Sequence, residues 1–323
     1  MPARDPAGPA GPARRADPPD PADPQAHLPG PSAARVLTDG LDHPEGVCWD
    51  PVAGCLYAGG EDGQIYRVEL EDGSARVVAR APGQVLGVTV DGAGRVLACA
   101  SRDGSLCVWD PAAEADGSAR PLLRAVEGRP LVQPNFCAFG PDGTLYLSDS
   151  GRWAENDGRL FALAPDGTAR VLSREVGHFT NGLAVSPDGG RLWCVESFDP
   201  VLTVFDLSSD QPGAEVVHRF DGTVPDGLAP TADGGLLVTC YRPDRIYHLD
   251  AAGTASVVAQ DPKGTLLGAP TNVAFAGEAL DVAVVANLGR WHLTALDLGL
   301  RGAPLHRPER WAADAEISRS PRP

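Results

Sequence analysis

The sequence of 323 residues lacks an excess of basic side chains, because 27 Lys and Arg stand against 43 Asp and Glu for a formal net charge of -16. This charge repels nucleic-acid phosphates and anionic membrane surfaces, so we expect neither as a partner. No stretch approaches the ~20 apolar residues of a membrane span, and the N-terminal segment has no apolar core of a signal peptide. We therefore expect a soluble, cytoplasmic protein, and a monomer.

Several chemical signatures are also absent from the sequence. The seven cysteines form no C-x-x-C pair and lie mostly in apolar runs, which argues against a zinc site or a disulfide framework. There is no G-x-S-x-G nucleophile elbow and no H-E-x-x-H motif, and GAGRVL at 92–97 lacks the third glycine of a dinucleotide fingerprint. Any enzymatic chemistry must come from another constellation.

Residues 1–33 contain Pro, Ala, Asp, Gly and Arg with almost no large apolar side chain, so they cannot offset the entropy of ordering. We predict a disordered tail there, a folded domain over residues 34–312 and a short C-terminal tail over 313–323. From residue 35 onward, short runs such as TLYLSDS and GLLVTCY alternate with Asp-Gly and Pro-Asp-Gly turns, without a long helical period. This pattern predicts an all-β fold.

The strand-like runs belong to six repeats of 41 to 49 residues. Their opening segments are PEGVCWD, VLGVTVD, PNFCAFG, TNGLAVS, PDGLAPT and TNVAFAG, beginning at Pro44, Val85, Pro134, Thr180, Pro225 and Thr271. Units of this size with about four short strands each are typical of a β-propeller. WD-type and kelch-type signatures are not present, and we predict a six-bladed β-propeller.

The second residue of each opening segment forms a column of mostly oxygen-bearing side chains. The column reads Glu45, Leu86, Asn135, Asn181, Asp226 and Asn272. Equivalent positions at the start of the innermost strands converge on the axis of a propeller, so Asp226 is not expected to be a turn residue like Asp233. A polar residue can also face a water-filled channel without any function. Two carboxylates and three amides together favour a bound cation, because burying them unsatisfied is costly.

The donor set predicts the type of metal. Carboxylate and amide oxygens without His or Cys suit Ca²⁺ first and Mg²⁺ or Mn²⁺ second, while Zn²⁺ is a disfavoured alternative.

Residues 35 to 310 resemble the gluconolactonase / senescence-marker-protein / luciferin-regenerating family of six-bladed propellers, and more distantly the phosphotriester-cleaving and paraoxonase propellers. The motifs are HPEGVCWD, PNFCAFGPDGTLYLSDS, FTNGLAVSPDGGRLWCVES, VPDGLAPTADG and PTNVAFAG. The resemblance implies that Glu45, Asn181 and Asp226 bind a divalent ion, with Asn135 lining or completing the site. It also implies that Asp226 is the acid/base or nucleophilic residue.

The sequence departs from the sugar-lactone members near Asn135. Gln133 stands where these members tend to have an arginine, and Phe136 stands where an aspartate often follows. Further candidates for substrate binding are Asn135 itself and the residues Gln133, Trp153, Glu155, His178 and Asn272. His43 and His178 could reach the channel mouth or be solvated loop residues, and Trp291 could line the pocket or the core.

Three functions follow from this reading. The first is a metal-dependent hydrolase of small lactones or esters, and the second is a hydrolase of phosphotriesters or aryl esters at the same site. The third is a non-catalytic propeller stabilised by calcium.

Overall fold

The computed structural model describes residues 33–209, 212–309 and 311. The predicted tails therefore lie outside the described residues, apart from Ala33. Apolar runs punctuated by Asp-Gly turns form six four-stranded antiparallel sheets, which confirms the predicted six-bladed propeller. Each innermost strand packs against the innermost strands of the two neighbouring blades, and the first blade packs against the sixth to close the circle.

The first five blades each consist of four strands that follow one another in the chain, from the axis outward. Blade one contains β2 (Val47–Asp50), β3 (Cys55–Gly59), β4 (Gln64–Glu69) and β5 (Ala75–Arg80). Blade two contains β6 (Val85–Val90), β7 (Val96–Ala100), β8 (Ser105–Trp109) and β9 (Arg120–Leu123). Blade three contains β12 (Pro134–Phe139), β13 (Leu145–Asp149), β14 (Arg159–Leu163) and β15 (Ala169–Ser173). Blade four contains β16 (Thr180–Val185), β17 (Arg191–Glu196), β18 (Val201–Asp206) and β19 (Ala214–Arg219). Blade five contains β20 (Pro225–Pro230), β21 (Leu236–Cys240), β22 (Arg245–Leu249) and β23 (Ala255–Gln260).

The sixth blade takes its outermost strand from the beginning of the chain. Its inner strands are β24 (Pro270–Ala276), β25 (Val282–Asn287) and β26 (Leu293–Leu296), and its outer strand is β1 (Ala34–Thr38). The register pairs Ala34 with Leu296, and Leu37 is buried in a cluster with the apolar side chains of blades one and six. The first and last strands of the propeller are thereby joined by backbone hydrogen bonds.

A hairpin of β10 (Ala125–Val126) and β11 (Arg129–Pro130) and a 3-10 turn at Ser101–Asp103 are added to this plan. In the described part of the chain, no helix is long and apolar enough to span a bilayer. All seven cysteines lie in the described part of the chain, where they are buried and form no disulfide, as the sequence predicted.

The two Asp-Gly pairs of the fifth repeat have different conformations. Gly234 has a φ of 86° and the amide of Gly235 donates to Oδ1 of Asp233 at 3.2 Å, as expected of a turn. Asp226 and Gly227 instead lie within β20. A Cβ on Gly227 would stand 2.5 Å from the carbonyl oxygen of Thr271 in the next blade. This glycine therefore allows neighbouring innermost strands to approach each other closely.

The C-terminal segment lies at the end of the channel away from the opening segments. Nη2 of Arg307 contacts Oδ1 of the buried Asp50 at 3.0 Å, and the amide of Ala303 donates to the carbonyl of Pro230 at 2.9 Å. Between this segment and the inner strands lies a cavity of about 540 Å³, lined largely by apolar side chains including Phe136. Phe136 therefore contributes to the wall of the channel.

Candidate functional site

Five side chains with oxygen atoms lie at corresponding positions around the axis, and we call them the oxygen ring. The opening residues of β12 and β16 pair with Asp149 and Glu196, which are the last residues of the second strands of their blades. The five side chains therefore lie at the end of the blades where the innermost strands begin, and we call this end the ring end. All five side chains are buried, and they are Glu45, Asn135, Asn181, Asp226 and Asn272. Leu86 is buried at the sixth position.

Contacts across blades connect several members of the oxygen ring. Nδ2 of Asn272 donates to Oε2 of Glu45 at 3.3 Å, and the side chain of Asn181 lies near the carboxyl group of Asp226. The charge of Asp226 also raises the pKa of the Glu45 carboxyl group. The structure therefore brings Glu45, Asn181, Asp226 and Asn272 together, as the column in the sequence suggested.

Two serines orient the amides of Asn135 and Asn181. Nδ2 of Asn135 donates to Oγ of Ser150 at 2.9 Å, and Nδ2 of Asn181 donates to Oγ of Ser197 at 3.0 Å. Each serine hydroxyl in turn donates to a carbonyl at the start of the next blade, that of Thr180 at 2.7 Å or that of Pro225 at 2.8 Å. A carbonyl oxygen can only accept, so the serine oxygen accepts from the amide nitrogen. These hydrogen bonds fix both amides with the nitrogen atom toward the serine.

Four oxygen atoms of the oxygen ring lack hydrogen-bond partners among the described residues. Among the described residues, no hydrogen-bond donor reaches the buried Oδ1 atoms of Asn135, Asn181, Asp226 and Asn272. Buried polar atoms are normally paired, and four unpaired acceptors in one ring are costly. The donor set thus fits a hard cation that takes oxygen ligands.

The two carboxyl groups of the oxygen ring have perturbed acidities. Burial raises the pKa of Asp226 to about 7, although the nearby amide of Asn181 acts in the opposite direction. Burial first and the charge of Asp226 second raise the pKa of Glu45 well above its ordinary value. A cation at this position would oppose both effects, because it favours the ionised carboxylates.

The other predicted site residues lie around the rim at the ring end. Gln133 is half-buried and its backbone amide donates to Oδ1 of Asp149 at 2.7 Å. Glu155 is exposed in the loop after β13, and Trp153 in the same loop is also exposed. His178 has an exposed side chain, while its backbone amide donates to Oε2 of Glu196 at 2.8 Å. The structure places these four residues near the opening rather than in the oxygen ring.

Trp291 and His43 lie at another part of the rim. Trp291 is exposed rather than part of the core, and its Nε1 donates to Nε2 of His43 at 3.0 Å. Nδ1 of His43 contacts Oδ1 of Asp42 at 3.1 Å and Oε2 of Glu61 at 3.3 Å. Ligand atoms of Asp42, His43 and Glu61 lie within 4.8 Å of one another. They already have protein partners, including Arg102 on Glu61 at 2.6 Å, and are therefore a poorer metal site than the oxygen ring.

The residues that orient the oxygen ring were not predicted from the sequence. Ser150 and Ser197 follow the second strands of blades three and four, in SDSG and ESF. Aligning the second strands of the repeats, in addition to the first strands, would have found this pair. Thr239 in β21 donates to the carbonyl of Thr271, and Thr271 donates through Oγ1 to the carbonyl of Glu45 at 2.7 Å. No simple motif indicates these two contacts.

Comparisons with known proteins agree with this architecture. Residues 43–288 match the SMP-30/Gluconolactonase/LRE-like region, and the chain belongs to this family. Regucalcin from Xenopus laevis is 29% identical over 147 residues, which is 42% of this chain and 48% of that protein. The matched part thus spans about half the length of this relative.

Two solved structures share the fold of this protein. A gluconolactonase from Xanthomonas campestris is 21% identical with a TM-score of 0.72, covering 91% of this chain and 99% of that chain. A calcium-binding protein, regucalcin, from Agrobacterium tumefaciens is 22% identical with a TM-score of 0.71, covering 86% of this chain and 97% of that chain. At sequence identities of 21% and 22%, the similarity to these two structures shows a shared fold alone.

Proposed function

We propose that this protein is a divalent-metal-dependent hydrolase of small lactones or esters, with Ca²⁺ as the first choice of ion. The observation that carries the proposal is the set of buried, unpaired Oδ1 atoms beside the carboxyl group of Glu45. Such a set of hard oxygen donors suits Ca²⁺ and, with tighter geometry, Mg²⁺ or Mn²⁺. Membership of a family that includes gluconolactonases supports the hydrolytic reaction.

The ion would be held by Glu45, Asn181 and Asp226, with Asn135 completing the site. A divalent ion bound there supplies a Lewis acid that polarises the carbonyl group of the substrate. Asp226 orients the attacking water molecule and accepts its proton on the carboxylate. Ser150 and Ser197 hold the two amides so that their oxygens remain available to the ion. Gln133, Trp153, Glu155, His178 and Asn272 contribute to the binding of the substrate.

The second candidate is a propeller that holds calcium without catalysis. A protein of the same fold is described as a calcium-binding protein, regucalcin, and this description favours the candidate. In that case the ion stabilises the native state by mass action and no substrate is cleaved.

A substrate panel with and without metal tests the proposal. The panel contains glucono-δ-lactone, γ-butyrolactone, phenyl acetate and a phosphotriester, and each is assayed after chelation and again after Ca²⁺ is restored. We expect cleavage of a lactone or ester that chelation abolishes and Ca²⁺ restores. Cleavage that survives chelation would contradict the role of the metal. Stabilisation by Ca²⁺ without cleavage of any substrate would favour the non-catalytic propeller that holds calcium. Cleavage of the phosphotriester alone would instead identify a phosphotriester hydrolase that acts at the same site.

A further inference from the structure

Three aromatic side chains form a cluster beside the oxygen ring, and we call Trp153, Phe179 and Phe198 the aromatic cluster. The centroid of the Trp153 ring lies 5.3 Å from that of Phe179 and 4.8 Å from that of Phe198, and both contacts are edge-to-face. The two phenylalanine rings lie 4.9 Å apart. The cluster therefore joins the loop after β13 in blade three to two segments of blade four.

The aromatic cluster lies at the ring end of the blades. Thr180 at the start of β16 pairs with Glu196 at the end of β17, so Phe179 and Phe198 both lie at this end. Phe179 is two residues from Asn181, and Phe198 follows Ser197, whose hydroxyl accepts from Asn181 at 3.0 Å. The segments that hold a member of the oxygen ring thus also carry two of the three aromatic rings.

Phe179 has an uncommon backbone conformation. Its φ of 63° lies in the left-handed region, where a bulky side chain is an outlier. Its amide donates to the carbonyl of Gly177 at 2.9 Å, and its carbonyl accepts from the amide of Ser197 at 3.1 Å. Strained conformations that the surrounding structure enforces are concentrated at ligand-binding sites.

Trp153 offers an open apolar surface in a fixed orientation. Its side chain is 71% exposed although it contacts both phenylalanines. Two nearby arginines are paired, since Nη2 of Arg152 lies 2.9 Å from Oδ2 of Asp157 and Arg219 pairs with Asp199. An exposed tryptophan that is already held by its neighbours can bind a flat apolar group at a low entropic cost.

We propose that the aromatic cluster binds an aromatic substituent of the substrate, an inference that rests on the proposed hydrolytic function. The preferred substrates are then aryl-substituted lactones or aryl esters rather than polyhydroxylated sugar lactones. Gln133 agrees with this choice, because it supplies no guanidinium fork for several hydroxyl groups.

Two lactones that differ in one substituent test this inference. The values of kcat/KM for γ-phenyl-γ-butyrolactone and γ-methyl-γ-butyrolactone are measured with saturating Ca²⁺ for the wild type and the Trp153→Ala variant. We expect the variant to lower the ratio of the phenyl to the methyl value about tenfold, which corresponds to about 1.4 kcal/mol. An unchanged ratio would overturn the inference even when both lactones are cleaved in a metal-dependent way.

The matched control is Trp291→Ala, which removes another exposed indole at the ring end, beside blades one and six. This variant should change the ratio less than twofold. An equal loss in both variants would show that the preference does not reside in the aromatic cluster.

Binding of stable analogues separates this inference from the proposed function. The corresponding phenyl and methyl γ-butyrolactams are titrated calorimetrically against the wild type and Trp153→Ala. A loss of the preference for the phenyl lactam in the variant supports the aromatic cluster even when no lactone is cleaved, which would refute only the proposed function. Equal affinities of the wild type for the two lactams would overturn the inference.

Discussion

Asn181 shows at the scale of a single residue how this site is prepared for a ligand. Its amide nitrogen donates to Ser197, while its Oδ1 has no partner among the described residues. The serine hydroxyl must donate to the carbonyl of Pro225, so it cannot also donate to Asn181. The position of one hydroxyl proton therefore leaves an amide oxygen available for a cation.

The Ser197→Ala substitution tests this orientation. The variant removes the acceptor of the Asn181 amide, so the amide is free to rotate and the affinity for Ca²⁺ should fall roughly tenfold, as for other residues that orient metal ligands. The control is Ser186→Ala in the turn before β17, where the hydroxyl contacts Asp188 instead. Calorimetric titration of both variants measures the change. Equal affinities in Ser197→Ala and the wild type would refute the orienting role.

Asp226 combines metal binding with the proposed chemistry, and Asp226→Asn separates the two roles. The variant should bind Ca²⁺ more weakly because it loses a negative charge. At saturating Ca²⁺ its kcat should still fall roughly a hundredfold or more, the usual scale for an acid/base group. Full turnover at saturating Ca²⁺ would leave Asp226 as a ligand only.

The control is Asp233→Asn in the turn of the same repeat. Asp233 accepts from the amide of Gly235 and contacts Nε2 of His248 at 3.3 Å. An asparagine serves the turn about as well, so metal affinity and turnover should stay unchanged. Equal damage from the two substitutions would contradict the distinction between the oxygen ring and the turn.

At the scale of the structural elements, β1 has the most consequential position. It pairs with β26 and covers what would otherwise be an open edge of blade six. It also buries Leu37 against the apolar side chains of blades one and six. The stability of the whole circle therefore depends on a strand that the chain supplies first.

Two N-terminal truncations test this dependence. Deleting residues 1–32 should leave the melting temperature almost unchanged, because this segment offers little apolar surface. Deleting residues 1–38 should lower it by roughly 10 °C, since several kcal/mol of burial and ladder hydrogen bonds are lost. Differential scanning calorimetry measures both. Equal melting temperatures for the two truncations would contradict the role of β1.

The elements also show what the sequence could predict. Five of the blades are built from consecutive hairpins, so local strand and turn signals were sufficient for them. The pairing of β1 with β26 joins the two ends of the chain and has no local signal. The contacts at the rim also have no local signal in the sequence, because Trp153 contacts Phe179 and Phe198 only through the packing of loops from two blades. The repeat placed Asp226 in the oxygen ring, but it could not reveal which amide oxygens lack partners.

At the scale of the whole molecule, the burial of acidic groups at the axis couples stability to pH. The folded-state pKa of Asp226 is raised to about 7, above the value near 4 of an unfolded aspartate. Its contribution to stability is therefore complete below about pH 4 and is lost as the pH rises toward 7. The raised pKa of Glu45 acts in the same direction.

The metal-free protein should accordingly lose stability between pH 5 and pH 8, with a fall in melting temperature of about 5 °C or more. Excess Ca²⁺ should reduce this fall, because it stabilises the ionised carboxylates. Asp226→Asn should also reduce it in chelator, which separates the effect of this group from general repulsion at a net charge of -16. Melting curves with the same pH dependence in chelator and in Ca²⁺ would contradict the coupling.

Whether the oxygen ring binds a divalent ion can be tested by anomalous diffraction from crystals soaked in Mn²⁺. Mn²⁺ takes oxygen ligands and replaces Ca²⁺ or Mg²⁺ in such sites. We predict one strong anomalous peak at the axis, within roughly 2.0 to 2.6 Å of carboxylate or amide oxygens of Glu45, Asn181 and Asp226. A strong peak at Asp42, His43 and Glu61 with none in the oxygen ring, or no peak at either place, would show that the oxygen ring does not bind a divalent ion.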